Sequence, residues 1–353
     1  MTRIFLIRHA EAEGNLYRHA HGHYDGLVTG RGYIQIGKLE SRFKDEKIDV
    51  VYSSDLTRTQ VTATAITKAR GLSAITDKAL REVNMGDWED MAWGDIEYFH
   101  KEMSSNFGFD PARWSVSGSE SYEDVISRMT AFITQAAQRH DGQTIAIFSH
   151  GFAIRSFFCR LMGFASHESI NVKYCDNTAV ALLLYEDGKF TIEYQSDNSH
   201  LKNDDSTFAH QKWWRDDNKA WVTENVRCAL LDERRDLKIL ESFKSELGER
   251  PHAEMEYAAF LSEEPVGLLG ISANDSSMGE LKCIYLLPEF RKKSLAVQLL
   301  GKAVSEFRNR KLELMTVKAP RHNPVVKLCK KYGFQEASEI GLNLILEKNI
   351  RNW

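Results

Sequence analysis

The chain has 353 residues, of which 42% are apolar and 27% are charged. This length and composition are typical of a globular protein of about two domains, and they exclude a mainly disordered chain. A formal net charge of −4 argues against a nucleic-acid binder or a protein of anionic membrane surfaces, and no apolar run reaches the ~18 residues that would span a bilayer.

The charge balance divides the chain near its middle. Residues 1–205 are net acidic and residues 206–353 are net basic, with a polar stretch at 197–206 where the balance changes. The next stretch contains Trp213, Trp214 and Trp221, which makes it too aromatic for a flexible linker. We therefore predict a first domain at 1–205, an aromatic linker at 206–221 that packs on one domain, and a second domain at 222–353.

Strands and helices alternate in the first part. Short apolar runs predict strands at 4–7, 50–52 and 145–148, and apolar residues at helical spacing predict helices at about 59–69, 124–136 and 152–162. Residues 179–194 have the pattern of a hairpin. These elements predict an α/β fold with a mostly parallel sheet, helices on both of its faces and a hairpin at its edge.

Polar side chains follow three of these strands. Arg8 and His9 follow the first strand, Arg58 lies shortly after the second, and His150 follows the third. Because the carboxyl ends of parallel strands meet at one edge of the sheet, we expect these residues to converge. Two guanidiniums and one imidazole could hold a phosphoryl dianion without a metal, while the remaining imidazole attacks phosphorus.

The motifs around these residues resemble those of the histidine phosphatase (phosphoglycerate mutase-like) superfamily, in the family's order. They are Arg8-His9-Ala10-Glu11, Asn15 and Gly22, Ser54-Asp55-Leu56-Thr57-Arg58, Leu80-Arg81-Glu82, Glu120-Ser121 with Arg128, Ser149-His150-Gly151, Asn177-Thr178 and His200-Leu201.

The resemblance implies a role for each matching residue. His9 would be the nucleophile that carries a phosphoryl group, and Arg8, Arg58 and His150 would hold the phosphoryl oxygens. Glu82 would act as the general acid and then as the base that activates water. Asn15 and Gly22 belong to the phosphate-binding side of the pocket. No metal or cofactor is implied, but His9 must be unprotonated, which requires a backbone carbonyl to hold one ring nitrogen as a donor.

Several features narrow the activity. The long insertions of a glycolytic mutase are missing between Glu82 and Glu120, which favours a phosphatase acting on a small phosphate monoester. The aromatic segment 88–114, including Phe109 and Trp114, could cap the pocket or could be ordinary core.

Three alternating histidines follow Asn15 and suggest two readings. These residues, His19, His21 and His23, could bind a metal or could simply belong to the phosphate-side loop.

The second part carries a strand, a basic turn and a helix. Residues 253–261 and 266–271 predict a hairpin, residues 280–287 a strand, and residues 295–310 an amphipathic helix. A strand that ends in a turn at a helix N-terminus can cradle a pyrophosphate, and Arg291, Lys292 and Lys293 add positive charge there.

This element resembles the R/Q-x-x-G-x-G/A motif of GNAT-type N-acetyltransferases, and residues 323–334 are similar to a second motif of that family. The resemblance implies a mixed α+β domain that binds acetyl-CoA and acetylates an amine. It places the cofactor contacts at Leu286, Leu287, Arg291, Lys292, Lys293, Ser294, Leu295, Ala296 and Asn323.

Two departures from the GNAT pattern leave an alternative open. Ser294 stands where the family has glycine, and Cys329 stands where it has a tyrosine acid. No catalytic base is obvious, and Glu280 is a candidate. The domain could therefore be a transferase, a non-catalytic module that senses CoA or docks a partner, or an inert scaffold.

The five cysteines indicate the compartment. They are scattered and form no C-x-x-C pair, so we predict reduced thiols, no disulfide framework or zinc site, and a cytoplasmic location. We expect a small phosphorylated metabolite as a partner, with no nucleic acid and no membrane. A homodimer through a sheet edge stays open.

Overall fold

A computed structural model describes residues 1–211, 224–273 and 277–351. The chain forms two compact units. The first comprises Met1–Asn15, Ala20–Glu89 and His100–Asn218, and the second comprises Leu16–His19, Asp90–Phe99 and Lys219–Trp353.

The first unit is built around a six-stranded sheet. Its strands are β1 (Thr2–Arg8), β2 (Val50–Ser53), β3 (Ala74–Thr76), β4 (Thr144–Ser149), β5 (Val180–Glu186) and β6 (Lys189–Asp197). Their order is β3-β2-β4-β1-β5-β6. The first four strands in this order pair in parallel, and the hairpin of β5 and β6 joins β1 in antiparallel fashion. The predicted fold class is confirmed.

Helices cover this sheet. Among the described residues, the helices of the first unit are α2 (Gly30–Phe43), α3 (Thr57–Arg70), α5 (Lys101–Phe109), α6 (Tyr122–Arg139) and α7 (Gly151–Leu161). The short α1 (Glu13–Tyr17) begins in the first unit and ends in the second, and α4 (Trp93–Phe99) belongs to the second unit. Phe5 and Ile7 of β1 pack with α2 and α3, and side chains alternate along a strand, which leaves the other face of β1 to α6 and α7. The Ser121–Asp124 capping box begins α6.

The second unit contains a seven-stranded sheet in the order β12-β13-β11-β10-β9-β8-β7. The elements are β7 (Val226–Leu230), α8 (Leu237–Leu247), β8 (Met255–Leu261), β9 (Glu264–Ala273), β10 (Met278–Leu286), α9 (Ala296–Asn309), β11 (Leu314–Pro320), α10 (Pro324–Lys331), β12 (Gln335–Ile340) and β13 (Asn343–Asn349). All pairs are antiparallel except β10 with β11, so the sheet is mixed as predicted.

Two short segments that precede residue 100 belong to the second unit. Residues 16–19 and 90–99 meet in a bridge between His19 and Ala92. The Ser305 hydroxyl of α9 donates to Asp90 at 2.7 Å, and Lys348 of β13 donates to the Tyr17 hydroxyl at 2.8 Å. The second unit is therefore not a single continuous stretch of chain.

The predicted aromatic linker lies only partly within the described residues. Residues 206–211 belong to the first unit, and Trp213, Trp214 and Trp221 lie outside the described residues.

Candidate active site

The ends of two neighbouring strands bring the predicted histidines together. In β1 and β4, Arg8 is the register partner of Ser149, so His9 and His150 follow side by side. Their ring centroids lie 5.2 Å apart. Arg58, at the start of α3, donates through Nε to Nδ1 of His150 at 3.2 Å. Three segments separated widely in the chain thus meet at the carboxyl edge of the parallel sheet.

His9 is held as a neutral imidazole. Its Nδ1 lies 2.7 Å from the carbonyl oxygen of Ala10, which can only accept, so the proton is on Nδ1 and the lone pair is on Nε2. Burial lowers the pKa of His9 well below its usual range, and the charges of Arg58 and Arg8 lower it further. The geometry meets the condition that a nucleophilic histidine requires.

His150 presents the opposite tautomer. Its Nδ1 accepts from Arg58, so the proton is on Nε2, and no described residue accepts from that buried nitrogen. Burial, followed by the charge of Arg58, lowers the pKa of His150 well below its usual range. The side chain can therefore donate a hydrogen bond to a bound anion without being charged.

Backbone carbonyls hold the Arg58 guanidinium. The side chain is fully buried and donates to the carbonyl oxygens of Gly22 at 2.7 Å and Tyr24 at 3.0 Å. Burial lowers its pKa to about 10, so it stays protonated at neutral pH. A Cβ at position 22 would lie 2.3 Å from the carbonyl oxygen of Val83. Only a glycine therefore fits at position 22. Gly22 contributes to the pocket through its carbonyl oxygen, which holds Arg58.

Arg8 and Asn15 complete the phosphate side. Arg8 donates through Nη1 to the carbonyl oxygen of Cys175 at 2.5 Å, and its buried Nε has no partner among the described residues. Asn15 accepts through Oδ1 from the amide of Ala12 at 3.1 Å and from Nδ2 of Asn177 at 3.3 Å. Asn15 thus orders the loop after His9.

Glu82 closes the N-terminus of α7. Its carboxylate accepts from the amides of Phe152 at 3.0 Å and Ala153 at 2.9 Å, while the N-cap residue His150 forms no side-chain cap bond. Arg128, ion-paired with Glu120, donates to the backbone carbonyl of Glu82 at 3.0 Å. These bonds place a carboxyl group at the first turn of the helix that follows His150.

Sequence reasoning assigned no role to several residues that shape this site. Glu89 accepts from the amides of His23, Tyr24 and Met85, and so orders the loop that binds Arg58. Nothing in the local sequence indicates this, because the bonds go to backbone amides. Arg128 is different, because it belongs to a sequence motif that resembles one of the family's motifs. That motif already indicates that Arg128 contributes to the site.

In the second unit, β10 and β11 separate along their length. They pair in parallel only from Met278 to Leu281, a bulge follows between Leu281 and Cys283, and β10 continues to Leu286 paired with β9 alone. The backbone amide of Leu287 donates to the carbonyl oxygen of Val266 in the sheet. Because the hydrogen-bonding groups of successive residues in a strand point to opposite sides, the backbone groups of Leu286 face the open side. An extended chain could pair with that open edge.

The basic turn before α9 adopts a left-handed backbone at two positions. Lys292 has φ 62° and Ser294 has φ 59°, conformations that favour glycine, and both residues are exposed. Lys293 is also exposed, Leu295 is buried, and Ala296 begins α9. The turn therefore lies open at the N-terminus of a 14-residue helix.

Four other predicted residues of the second unit are already bonded or buried. Arg291 donates to the carbonyl of Leu286 at 3.0 Å and pairs with Glu246. Asn323 caps α10 by accepting from the amide of Val325 at 2.9 Å. Burial raises the pKa of the Cys329 thiol to about 12. Glu280 accepts from Lys282 at 2.6 Å.

Comparison with known proteins identifies both parts of the chain. The family model described as histidine phosphatase superfamily (branch 1) matches residues 4–198, more than half of the chain. The chain belongs to the histidine phosphatase superfamily. The model of the acetyltransferase (GNAT) family matches residues 193–334. Both family resemblances seen in the sequence are confirmed.

The similar proteins cover a little over half of this histidine phosphatase. Phosphoserine phosphatase 1 of Hydrogenobacter thermophilus is 29% identical, over 57% of this chain and 95% of that protein. Phosphoglycerate mutase-like protein 4 of Arabidopsis thaliana is 31% identical, over 57% and 87%. The α-ribazole phosphatase structure from Shigella flexneri matches with a TM-score of 0.50 and 25% identity, over 55% and 96%. The first domain is a histidine phosphatase domain.

The aromatic segment of this histidine phosphatase is partly core and partly exposed. Trp88 and Trp114 are buried, and their ring centroids lie 5.8 Å apart. Phe107 stacks on Phe152 at 4.8 Å, next to the amides that bind Glu82, whereas Phe109 is exposed. Packing therefore explains the two tryptophans, whereas Tyr98 and Phe99 are exposed like Phe109.

Two of the three alternating histidines form hydrogen bonds in different units of the protein. His19 bonds to Asp90 within the second unit, and His23 bonds to the carbonyl of Glu82 within the first. The described residues contain no group of three or more metal-ligating side chains. Over the same part of the chain, no helix combines the length and apolarity needed to cross a membrane.

Proposed function

We propose that the first domain hydrolyses a small phosphate monoester through a phosphohistidine on His9. The observation that carries this proposal is the tautomer of His9, whose Nδ1–H donates to Ala10 and leaves the Nε2 lone pair for attack. The named phosphatase relatives, and the absence of long insertions between Glu82 and Glu120, support hydrolysis over mutase chemistry.

The reaction proceeds in two displacements. Nε2 of His9 forms a bond to phosphorus while the ester P–O bond breaks, and protonated Glu82 gives its proton to the leaving oxygen. Glu82, now a carboxylate, takes a proton from water as the water oxygen attacks phosphorus and the P–N bond breaks. Inorganic phosphate leaves, and both His9 and Glu82 return to their starting states.

Charge builds up on the phosphoryl oxygens during both steps. The guanidiniums of Arg58 and Arg8 and the Nε2–H of His150 stabilise it, because they are already oriented and shielded from water. This electrostatic work needs no metal ion.

A labelling experiment tests the phosphatase proposal. We expect the full-length protein to release phosphate from a panel of phosphate esters that includes phosphoserine, 3-phosphoglycerate and p-nitrophenyl phosphate. When the phosphoryl group of the substrate is labelled and the reaction is quenched during turnover, the protein should carry an acid-labile phosphoryl label. His9→Ala should lose the label and at least 10⁴-fold of kcat, as expected for a removed nucleophile. His167→Ala, at an exposed position, is the matched control. Full activity of His9→Ala would rule out the mechanism.

We further propose that the second domain binds acetyl-CoA at the turn before α9 and transfers the acetyl group to an amine. The separation of β10 from β11 supports this, because it leaves a strand edge for an extended pantetheine arm, and the helix N-terminus can receive the pyrophosphate. The alternative is a module that senses CoA or docks a partner, which the buried thiol of Cys329 favours, since a thiol with a pKa of about 12 is a weak proton donor.

Calorimetric titration with acetyl-CoA separates these readings. Micromolar binding that is lost in Arg291→Ala, but kept in Arg160→Ala, a control at an exposed arginine of the first unit, supports the cofactor site. A screen of amines would then distinguish a transferase from a sensor. Absence of binding at millimolar acetyl-CoA would overturn the proposal and leave a docking or structural domain.

A further inference from the structure

A short turn before β5 bonds directly to Arg8, the last residue of β1, and to His9, which follows it. The carbonyl oxygen of Cys175 accepts from Arg8 at 2.5 Å. The carbonyl oxygen of His9 accepts from the side-chain amide of Asn177 at 2.9 Å and from the backbone amide of Thr178 at 3.3 Å. We call residues 175–178 the nucleophile turn, because it fixes the backbone of His9 at its carbonyl.

Thr178 in this turn has an unfavourable backbone conformation. Its φ is 60°, and the residue is completely buried. A β-branched residue in the left-handed region is a true outlier, and such strain persists only where the surroundings determine it strongly. The question is therefore which contacts hold Thr178 in place.

One of these contacts is His200. Nδ1 of His200 lies 3.3 Å from Nη1 of Arg42, which can only donate, so the His200 proton is on Nε2. Nε2–H then donates to the Thr178 hydroxyl at 3.0 Å. Arg42 is itself fixed by Asp197 at 2.7 Å. Burial and the charge of Arg42 lower the pKa of His200 to about 4, which keeps this tautomer neutral at neutral pH.

The nucleophile turn is also held at Asp176, two residues before Thr178. This buried carboxylate accepts from Nδ2 of Asn198 at 3.0 Å, from the hydroxyl of Ser206 at 2.6 Å and from the amide of Phe208 at 3.2 Å. It also accepts from the amide of Asn177 at 2.8 Å. Thr178 and Asp176 are therefore both bonded by residues of 197–208, which we call the boundary segment.

The boundary segment extends past the phosphatase family match, which ends at residue 198, and its polar composition predicted a domain boundary. It nevertheless belongs to the first unit. Thr207 donates to the Glu11 carboxylate at 3.1 Å, two residues after His9. These hydrogen bonds link the boundary segment to the backbone and side chains around His9. A segment that only connects two domains would not require them.

We propose that the boundary segment positions the nucleophile, with His200 and Thr178 as positioning residues that act on His9 through the nucleophile turn. This rests on His9 being the nucleophile, as proposed above. Release of the turn would let the His9 backbone shift and misdirect the Nε2 lone pair. The carbonyl groups that hold Arg58 come from another loop, so phosphate binding through that residue should persist. The expected signature is a loss of kcat with KM nearly unchanged.

A pair of substitutions at position 178 tests this in the full-length protein. Thr178→Val keeps the shape and removes the hydroxyl, and we expect kcat to fall about 10- to 100-fold while KM and the inhibition constant of inorganic phosphate change less than about threefold. Thr178→Ser restores the hydroxyl and should recover most of kcat. Equal kcat for Thr178→Val and the unchanged protein would overturn the proposal, as would a loss confined to KM.

A second pair keeps the test decisive if Thr178→Val fails to fold, which thermal unfolding would reveal. His200→Leu removes the donor to Thr178 and should lower kcat similarly, whereas His200→Gln retains a donor and should be less impaired. In the double variant Thr178→Val with His200→Leu, the two losses should not add, since one hydrogen bond carries both. Additive losses would contradict a shared route through that bond.

The His9→Ala variant separates the two proposals. If His9→Ala is inactive while Thr178→Val and His200→Leu keep full kcat, the phosphohistidine mechanism stands and the positioning role fails. If His9→Ala keeps full activity, the mechanism itself fails.

Discussion

The two units each have an arginine facing a proposed phosphate site, but the two guanidiniums are held differently. Arg58 is fully buried and bonded to carbonyl oxygens, and a carboxylate oxygen of Asp25 lies 3.9 Å from its Nη1. Arg291 has a side chain that is 40% exposed, and Glu246 accepts from it at 2.8 Å. Carbonyl groups orient a cation without neutralising it, whereas a carboxylate must give way before an incoming anion binds.

The same contrast appears in the backbone. Thr178 and Ser294 have nearly the same left-handed φ, 60° and 59°. Thr178 is buried and bonded through its amide and its hydroxyl, whereas Ser294 is exposed. The first site is therefore organised before its ligand arrives, and the second must pay for its organisation when the ligand binds.

Of the variants that test this contrast, Arg58→Lys has the largest expected effect. A lysine cannot reach Gly22, Tyr24 and His150 together, because it lacks the planar fork of donors. We expect kcat/KM to fall about 10²- to 10³-fold in steady-state assays. Arg160→Lys, at an exposed ion pair with Glu123, is the matched control and should leave kcat/KM unchanged. Similar kcat/KM values for both variants would show that the carbonyl cage, formed by the carbonyl oxygens of Gly22 and Tyr24 around Arg58, is not what distinguishes the first site.

Gly22→Ala tests how tightly the loop around Arg58 is packed. The new Cβ would lie 2.3 Å from the Val83 carbonyl oxygen, so we expect about 1–3 kcal/mol less stability and reduced activity. Gly30→Ala is the control, since no atom lies within 4 Å of its Cβ position. Denaturant unfolding of both variants measures the difference, and equal stabilities would mean that the loop can relax.

The buried histidines predict an acid sensitivity of the first unit. The pKa of His200 is about 4 in the folded protein and about 6.5 in the unfolded chain, so the unfolded state binds the proton first as the pH falls. Stability is therefore lost between about pH 6.5 and pH 4, and His200 accounts for about 1 kcal/mol of that loss at pH 5.5. Urea unfolding at pH 7.5 and 5.5 measures it, and His200→Gln should lose less. If His200→Gln and the unchanged protein lose the same unfolding free energy between pH 7.5 and 5.5, protonation of His200 on unfolding is not the cause of the loss.

The smallest expected effect is at Ser294. Glycine there removes a Cβ from a left-handed position and lets a phosphate approach the backbone more closely. We expect Ser294→Gly to bind acetyl-CoA about two- to fivefold more tightly by calorimetry, because the conformational gain is below about 1 kcal/mol. Ser277→Gly, outside this turn, is the control. Weaker binding would mean that the serine hydroxyl itself contacts the ligand.

Much of the first site was predictable because its residues follow strands. A strand of period two and a helix of period 3.6 are visible in the sequence, and parallel topology then brings Arg8, His9 and His150 to one edge. The predicted helix at 124–136 extends over Tyr122–Arg139, and the predicted strand at 280–287 over Met278–Leu286. The boundary segment was harder, because polar composition alone does not distinguish a connector from a bonded element.

The sequence alone determined the two family resemblances, the α/β class of the first part and the residues that carry charge at the strand ends. Only the tertiary structure decided the tautomers of His9 and His150, the cage around Arg58, the cap that Glu82 places on α7, and the bonds of the boundary segment. The physical reason is common to most of these. The partners are backbone amides and carbonyls, which every non-proline residue offers, so their use leaves no mark in the sequence until the chain has folded.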